Sequence, residues 1–470
     1  MPLIIPANTL SAAGYDIANS CRFDGADSLQ RSKGTQSSLQ IGTYSFWVKR
    51  TNIDGTQHFV YSNTVADDNN RGYYSLRADE KFRIVSTASS GDLTVETSQL
   101  FRDPSAWMNI VVRIDTTQST AANRCIFYVN GVAVTALDTT TYPDQNANLK
   151  IFEGGESNKE FIGSMTGETA NLHCYLSEFV YCDGQSLAPT SFGEFNEDSP
   201  TIWQPINVSG LTFGDQGFYL DFEDSSALGN SSNSNNFGTV NNLAATDSCT
   251  DSPTNNFCTL NPLGFTEGTL SEGNTEIDQN GSAGRFCAGT IQPSNGKWYF
   301  EAKVLNYGAD PRHFVGVGRN EETYTGTASA ATSSIGYSLE TQSVYKGNSV
   351  VLDLSSADSP ATDDIYMIAY DIDNLKIYLG KNGTWLNSGD PAGGSGNVTT
   401  LVSGTDYAPI TGALNASSNS ARNNDWQFNF GNPTFAISSS QADDNGYGNF
   451  EYDVPAGYYA LCTKNLAEFG

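Results

Sequence analysis

Paired carboxylates are the first chemistry to look for in a chain this acidic. Two acids spaced as in E-x-D-x-x-E on one strand fall on the same face, because side chains alternate. They can then share the nucleophile and acid/base roles of glycoside hydrolysis. The nearest match is Glu276-Ile-Asp278-Gln-Asn-Gly281, which has Gly where the second Glu is needed. Three histidines, His58, His173 and His313, stand isolated, and no Gly-x-Ser-x-Gly occurs. A nucleophilic triad therefore has no local support, and each histidine reads as structural.

Hard oxygen donors cluster at Asp67-Asp68-Asn69-Asn70, which makes Asp67 and Asp68 the candidate metal ligands. The cluster lacks EF-hand spacing, and Ca²⁺ wants roughly six to eight oxygens drawn from elsewhere. A solvated acidic turn is the default reading, and bound Ca²⁺ is the alternative. Non-covalent recognition has its own candidates. Tyr345, Trp385 and Tyr407 lie near expected loop ends, and Asn348 stands in the loop Tyr345–Asn348. Aromatic side chains on loops can stack on sugars or anchor a partner, with core or hairpin packing as the competing reading.

The elements that would hold these residues are strands. Phe (25) and Tyr (23) are abundant and Met (4) is scarce, while the 45 glycines suit a chain of many turns. Tyr44-Ser-Phe-Trp-Val-Lys-Arg50 places Tyr44, Phe46 and Val48 on one face, and Trp107–Asp115 is the most strongly patterned strand of the first half. In the second half Trp298, Phe300 and Ala302 alternate against Lys297, Glu301 and Lys303. Asn130-Gly131 and Asn382-Gly383 have the chemistry of tight hairpin turns. The fold expected is all-β, with two jelly-roll or β-sandwich domains joined by an Asn/Ser-rich linker. Residues 1–14 read as an arm whose Leu3-Ile4-Ile5 lies between Pro2 and Pro6. Residues 15–199 form the first sandwich, 200–264 a bridge and linker, and 265–470 the second sandwich. Within the linker, the run Leu228–Leu263 is crowded with Asn, Ser, Thr and Asp and is expected to cross the surface as a cleavable hinge.

Charge excludes several partners. The 24 basic and 52 acidic side chains leave a net charge of −28. Such a surface repels nucleic acid and anionic lipid. No run reaches the roughly 20 apolar residues of a membrane span. The N-terminus lacks a basic region and has prolines at 2 and 6, so no signal peptide is expected. The eight cysteines show no zinc-ligand spacing and read as small buried hydrophobes, with Cys249 and Cys258 the one pair close enough in sequence to watch for a disulfide.

Three resemblances follow from the order of these pieces. Trp107–Asp115, then Phe127-Tyr-Val-Asn-Gly131, Gly163 and Cys174-Tyr-Leu-Ser-Glu-Phe-Val-Tyr-Cys-Asp-Gly184, resemble the laminin-G/concanavalin-like jelly roll over about Ser20 to Glu197. Trp298 to Val304, Phe314-Val-Gly-Val-Gly318, Asp364–Trp385 and Trp426–Gly431 resemble the SPRY (B30.2-like) sandwich over about Phe265 to Leu466. Gly217–Phe222, Asn241–Asp247 and Thr250–Pro262 resemble a linker of tailed-phage structural proteins that joins such domains. The resemblance implies a bacteriophage virion protein, a tail or head fibre binding a host-surface glycan or protein and working as a homo-oligomer. It implies attachment to other virion proteins through the N-terminal arm, assembly in the host cytoplasm and display on the virion surface. Binding without catalysis is the expectation. The alternatives are a glycan hydrolase on the first sandwich, marked by two carboxylates about 5–10 Å apart in a cleft, and a capsid-decorating protein without a receptor.

Overall fold

A computed structural model describes residues 14–63, 71–154, 159–165, 172–263, 265–279, 286–308, 311–319, 333–412 and 424–470. The chain divides into two units, Ala13–Thr254 and Asn255–Gly470. Both are built from mainly antiparallel sheets packed face to face, with β-strands Lys297–Val304 and Tyr459–Ala460 of the second unit pairing in parallel.

The first unit's strands are β1 (Ser20–Asp24), β2 (Ser28–Ser32), β3 (Ile41–Arg50), β4 (Gln57–Asn63), β5 (Arg71–Leu76), β6 (Lys81–Ser86), β7 (Leu93–Leu100), β8 (Met108–Asp115), β9 (Cys125–Val129), β10 (Val132–Ala133), β11 (Leu137–Thr141), β12 (Lys159–Ile162), β13 (His173–Asp183), β14 (Gly193–Phe195), β15 (Trp203–Pro205), β16 (Phe218–Leu220), β17 (Thr239–Asn241) and β18 (Ser248–Cys249). Among the described residues, one sheet runs β10-β9-β8-β3-β13-β1-β18, with β16 also on β13. The facing sheet runs β11-β7-β6-β5-β4-β12-β2-β17. Tyr44, Phe46 and Val48 enter the core between them, as their alternation predicts. Asn130 (φ 46°) and Gly131 (φ 76°) make the β9–β10 turn. A Cβ on Gly131 would also strike the Trp203 ring, so glycine is needed there twice over.

The second unit contains β19 (Thr269–Ser271), β20 (Glu276–Gln279), β21 (Phe286–Ala288), β22 (Lys297–Val304), β23 (Phe314–Gly318), β24 (Ile335–Ser338), β25 (Ser343–Lys346), β26 (Ser349–Asp353), β27 (Ile365–Asp371), β28 (Lys376–Lys381), β29 (Thr384–Trp385), β30 (Thr399–Thr400), β31 (Ala408–Gly412), β32 (Asn424–Asn429), β33 (Tyr459–Ala460) and the helix α1 (Thr463–Phe469). One sheet orders β19-β20-β32-β22-β27-β28-β29, and the other β21-β31-β23-β24-β25-β26. Trp298, Phe300 and Ala302 face the core between them.

Three findings bear on these expectations. The first concerns the run Leu228–Leu263, which is not a surface connector. Leu228, Phe237 and Cys249 are buried in the first unit, and Phe257, Cys258 and Leu260 in the second. Several of its polar side chains make fixed contacts, while Asn230, Ser232, Ser234, Asn236, Thr239, Asn241 and Asn242 stay exposed. The Ser231 Oγ donates to Asn233 at 2.6 Å, Asn236 Oδ1 accepts the Ser231 N–H at 2.8 Å, and Thr254 Oγ1 accepts the Ile17 N–H at 3.0 Å. β17 and β18 extend the two sheets of the first unit, so residues 200–254 belong to that unit and are not a separate bridge. Second, Cys249 and Cys258 fall in different units, and all eight cysteines are buried free thiols. Third, the outward positions of key strands are not solvated. Lys49 and Glu301, which alternate with the core-facing residues of their strands, are both 0% exposed because later chain segments cover those faces.

Candidate functional site

The described residues of the first unit form an open cleft of about 200 Å³ at one end of the sandwich. Its walls are the last residues of β7, the loop 101–107, the start of β8 and the β9–β10 turn. Leu100 is one of the large hydrophobic side chains left exposed, and Met108 and Val129 present partly buried apolar surface beside it.

Local contacts hold the loop rigid. Phe101 turns inward and packs edge-on against Phe82 and Phe127, each at 6.3 Å between ring centroids. Its N–H donates to the Glu80 carbonyl at 2.9 Å, and its own carbonyl accepts from the buried Arg50 guanidinium. Burial lowers the Arg50 pKa to about 10. Asp103 Oδ1 accepts from the Ser105 N–H at 2.8 Å and from the Ser105 hydroxyl at 2.6 Å, the geometry of an Asx turn. Arg102 ion-pairs with Glu80 and is otherwise largely in solvent.

Trp107 is the aromatic wall. Its Nε1–H donates to Asp251 Oδ1 at 2.9 Å, and Lys49 Nζ bonds Asp251 Oδ2 at 2.6 Å. Both members of that ion pair are completely buried. The Lys49 ammonium also lies 5.6 Å from the centre of the Tyr175 ring, which in turn stands 6.4 Å from Trp107. One edge of the indole is thus pinned in a buried polar array, while the side chain as a whole is only half-buried and lines the cleft. On the opposite wall Asn130 is fixed to β8: its N–H donates to the Asn109 carbonyl at 2.9 Å, and its Oδ1 accepts the Asn109 N–H at 2.8 Å.

The residues singled out from sequence fall elsewhere. Tyr407 is wholly buried, and its hydroxyl accepts the Val402 N–H at 2.7 Å. It is a core residue, closed to a ligand, packed into the main apolar cluster of the second unit. Trp385 is half-buried on β29 with its ring 6.5 Å from Tyr299, whereas Tyr345 leans on Phe286 and Phe314 from β25 in the other sheet. Asn348 is exposed in the β25–β26 turn. The four do not converge. Asp67 and Asp68 lie outside the described residues, as does Gly281. Among the described residues, no group of three or more His, Cys, Asp or Glu is placed to hold a metal.

The weighed catalytic residues are each built into packing. His58 packs edge-on against the rings of Tyr61 and Tyr73, and burial lowers the pKa of His173. His313 Nε2 accepts the Asp425 N–H at 3.1 Å, and burial pushes its pKa down to about 4. Glu276 Oε2 accepts from Gln427 at 2.8 Å, and Asp278 faces Asp425 across the β20–β32 pair. Burial, with the Asp278 charge, pushes Asp425 up to about 7.

Sequence reading missed Lys49, Asp251 and the role of Trp107. Trp107 read as the start of a strand and Asp251 as part of a turn. The available signal was a lysine next to Val48 near the end of the long strand Ile41–Arg50, a position that needs a counter-charge if anything covers it.

Comparison with solved structures finds several matches. Mouse laminin alpha1 chain domains LG4-5 are 10% identical and cover 89% of this chain and 90% of their own, with a TM-score of 0.31. The SPRY domain of human HERC1 is 14% identical over 36% of this chain and 96% of its own, TM-score 0.28. Domain 4 of AbnA, a GH43 extracellular arabinanase from Geobacillus stearothermophilus solved with arabinotriose, is 17% identical over 38% of this chain and 76% of its own, TM-score 0.27. No curated protein matches. One family model does. Residues 23–175, which include every wall of the cleft but not Asp251, match Laminin_G_3, described as the concanavalin A-like lectin/glucanases superfamily.

Proposed function

We propose that this chain is a structural bacteriophage protein of the fibre type, which displays two β-sandwich units on the virion surface and binds a host-surface glycan or protein without covalent chemistry. The observation that carries this reading is the rim cleft of the first unit, where Trp107 is held rigid by Asp251 and faces a space open to solvent. A preorganised aromatic beside polar groups is the equipment of a binding site. A hydrolytic site needs two carboxylates. The cleft walls supply one, Asp103, already engaged through Oδ1. The concanavalin A-like match over residues 23–175 fits a binding role. In this reading the arm of residues 1–14 joins the chain to other virion proteins, several copies act together through avidity, and assembly takes place in the host cytoplasm. The strong negative charge keeps the displayed units apart from nucleic acid.

The test uses antibodies raised against the full chain. Immunogold labelling of purified virions should decorate an appendage or the head surface, and the antibody fragments should slow adsorption to host cells. Particles free of the chain by mass spectrometry, or adsorption indifferent to the antibody, would overturn the proposal.

A further inference from the structure

We infer that the Trp107 cleft binds a single neutral sugar ring, taken as the end unit of a surface glycan. The inference rests on the display-and-binding reading above and adds the ligand class and its seat. Three observations converge on it.

Size comes first. The cleft of about 200 Å³ is open to solvent and its walls are short. It can seat one pyranose ring against Trp107 while the rest of a glycan leaves through the open mouth. Surface chemistry is second. A pyranose has an apolar C–H face and a rim of hydroxyls that both donate and accept. The indole of Trp107 with Leu100 and Met108 offers the apolar counterpart. Gln99, Asp103 and Asn130 supply the polar one, with Asp103 Oδ2 and the Asn130 amide nitrogen outside the bonds that fix those residues. The rigid hold on Trp107 by Asp251 and Lys49 removes the ordering cost of a loose aromatic.

Charge is third. Arg102 and Asp103 are the charged residues among the cleft walls, and Arg102 is paired with Glu80, which leaves the Asp103 carboxylate as the uncompensated charge. No uncompensated cation waits for a carboxylate, and a chain of net charge −28 repels acidic sugars on approach. Uronic and sialic acids are therefore disfavoured, and neutral hexoses are favoured.

The experiment titrates the full chain with methyl α- and β-pyranosides of glucose, galactose and mannose, and with glucuronic and N-acetylneuraminic acids, by saturation-transfer NMR. At least one neutral pyranoside should bind saturably and the acids should not. Leu100→Trp fills the cleft from an exposed position and leaves the Trp107–Asp251 bond alone. It should abolish binding without lowering the melting temperature. Trp107→Ala should weaken binding about tenfold, the usual scale of a buried aromatic contact, and Arg102→Gln should change it by less than about twofold. The inference is overturned if no neutral pyranoside binds, if binding survives Leu100→Trp, or if the acids bind and Arg102→Gln removes them. Virion adsorption that antibody blocks but Leu100→Trp does not would leave the display reading standing and overturn the sugar seat. Loss of both would support the two together.

Discussion

Asp251 in the first unit and Glu301 in the second perform the same architectural task by different means. Each is a buried carboxylate on the side of a sheet turned away from its main core, and each ties a late chain segment down over that face. Asp251 is matched by a cation, Lys49, at 2.6 Å. Glu301 takes donors that carry no charge: the Tyr299 hydroxyl at 2.9 Å, Asn429 Nδ2 at 3.1 Å, and the N–H groups of Glu451 at 3.0 Å and Tyr452 at 2.9 Å. The cost of burying a charge is met by charge in one unit and by dipoles in the other. The difference has a functional side. The ion pair continues through Trp107 into the cleft, whereas the Glu301 network ends in the packing of Phe450 and Tyr458 against Tyr299. Of these two anchors, the first reaches the cleft to which binding is proposed here.

Breaking the ion pair should have the largest effect. Lys49→Met leaves Asp251 buried beside an apolar chain, and an orphaned buried charge costs about 3–5 kcal/mol. Amide hydrogen exchange should quicken in β1, β3 and β13 and over Ser248–Thr254, with β22, β27 and β32 unchanged. The double variant Lys49→Met with Asp251→Asn should recover a good part of the loss. If the single variant exchanges like wild type, the pair is not what holds the segment.

The Glu301 network should yield less. Glu301→Gln keeps the shape but turns an amide N–H₂ toward groups that also donate, a mismatch worth about 1–3 kcal/mol. Faster exchange should be confined to the second unit, with its centre at Asn449–Tyr452. Equal losses in the two units, or a larger one here, would undo the distinction between charge and dipole anchoring.

Much of the fold was legible because core-facing residues alternate with a period of two. Tyr44, Phe46 and Val48, and Trp298, Phe300 and Ala302, announce their buried faces directly. The outer faces were not legible. Whether Lys49 or Glu301 meets water depends on segments some 150 to 200 residues later in the chain, and no local pattern encodes that. Composition misled at Leu228–Leu263, since Asn and Ser bonded into turns look the same in sequence as Asn and Ser bonded to water. The ligand residues suffered similarly. Tyr407 has the sequence surroundings of a loop aromatic and the structural surroundings of a core tyrosine. The cleft draws on four separate elements, and its key wall is set by a residue from the far end of the unit, so no single motif could display it.

The smallest effect separates the anchors by pH. Burial raises the Glu301 carboxyl above its ordinary 4.5, outweighing the donors that favour its ionised form. The folded chain therefore keeps this proton at pH values where the unfolded chain has already lost it. By linkage, its contribution to stability is complete below the unfolded value and fades as pH rises through the raised folded value. Other groups of the unit titrate as well. His313, held down to about 4, adds a contribution of opposite slope that is lost as pH falls, and Asp425, held up to about 7, adds one of the same slope as Glu301. The difference between wild type and Glu301→Gln cancels both. Measured by hydrogen exchange of β22 and Asn449–Tyr452, that difference should be constant at low pH. Above about 4.5 it should shrink, as the wild type alone loses stability, at no more than about 1.4 kcal/mol per pH unit. It should then level off once the folded carboxyl has ionised. A difference that grows with rising pH would mean that Glu301 is held as a stabilised anion, and that the second unit anchors by charge after all.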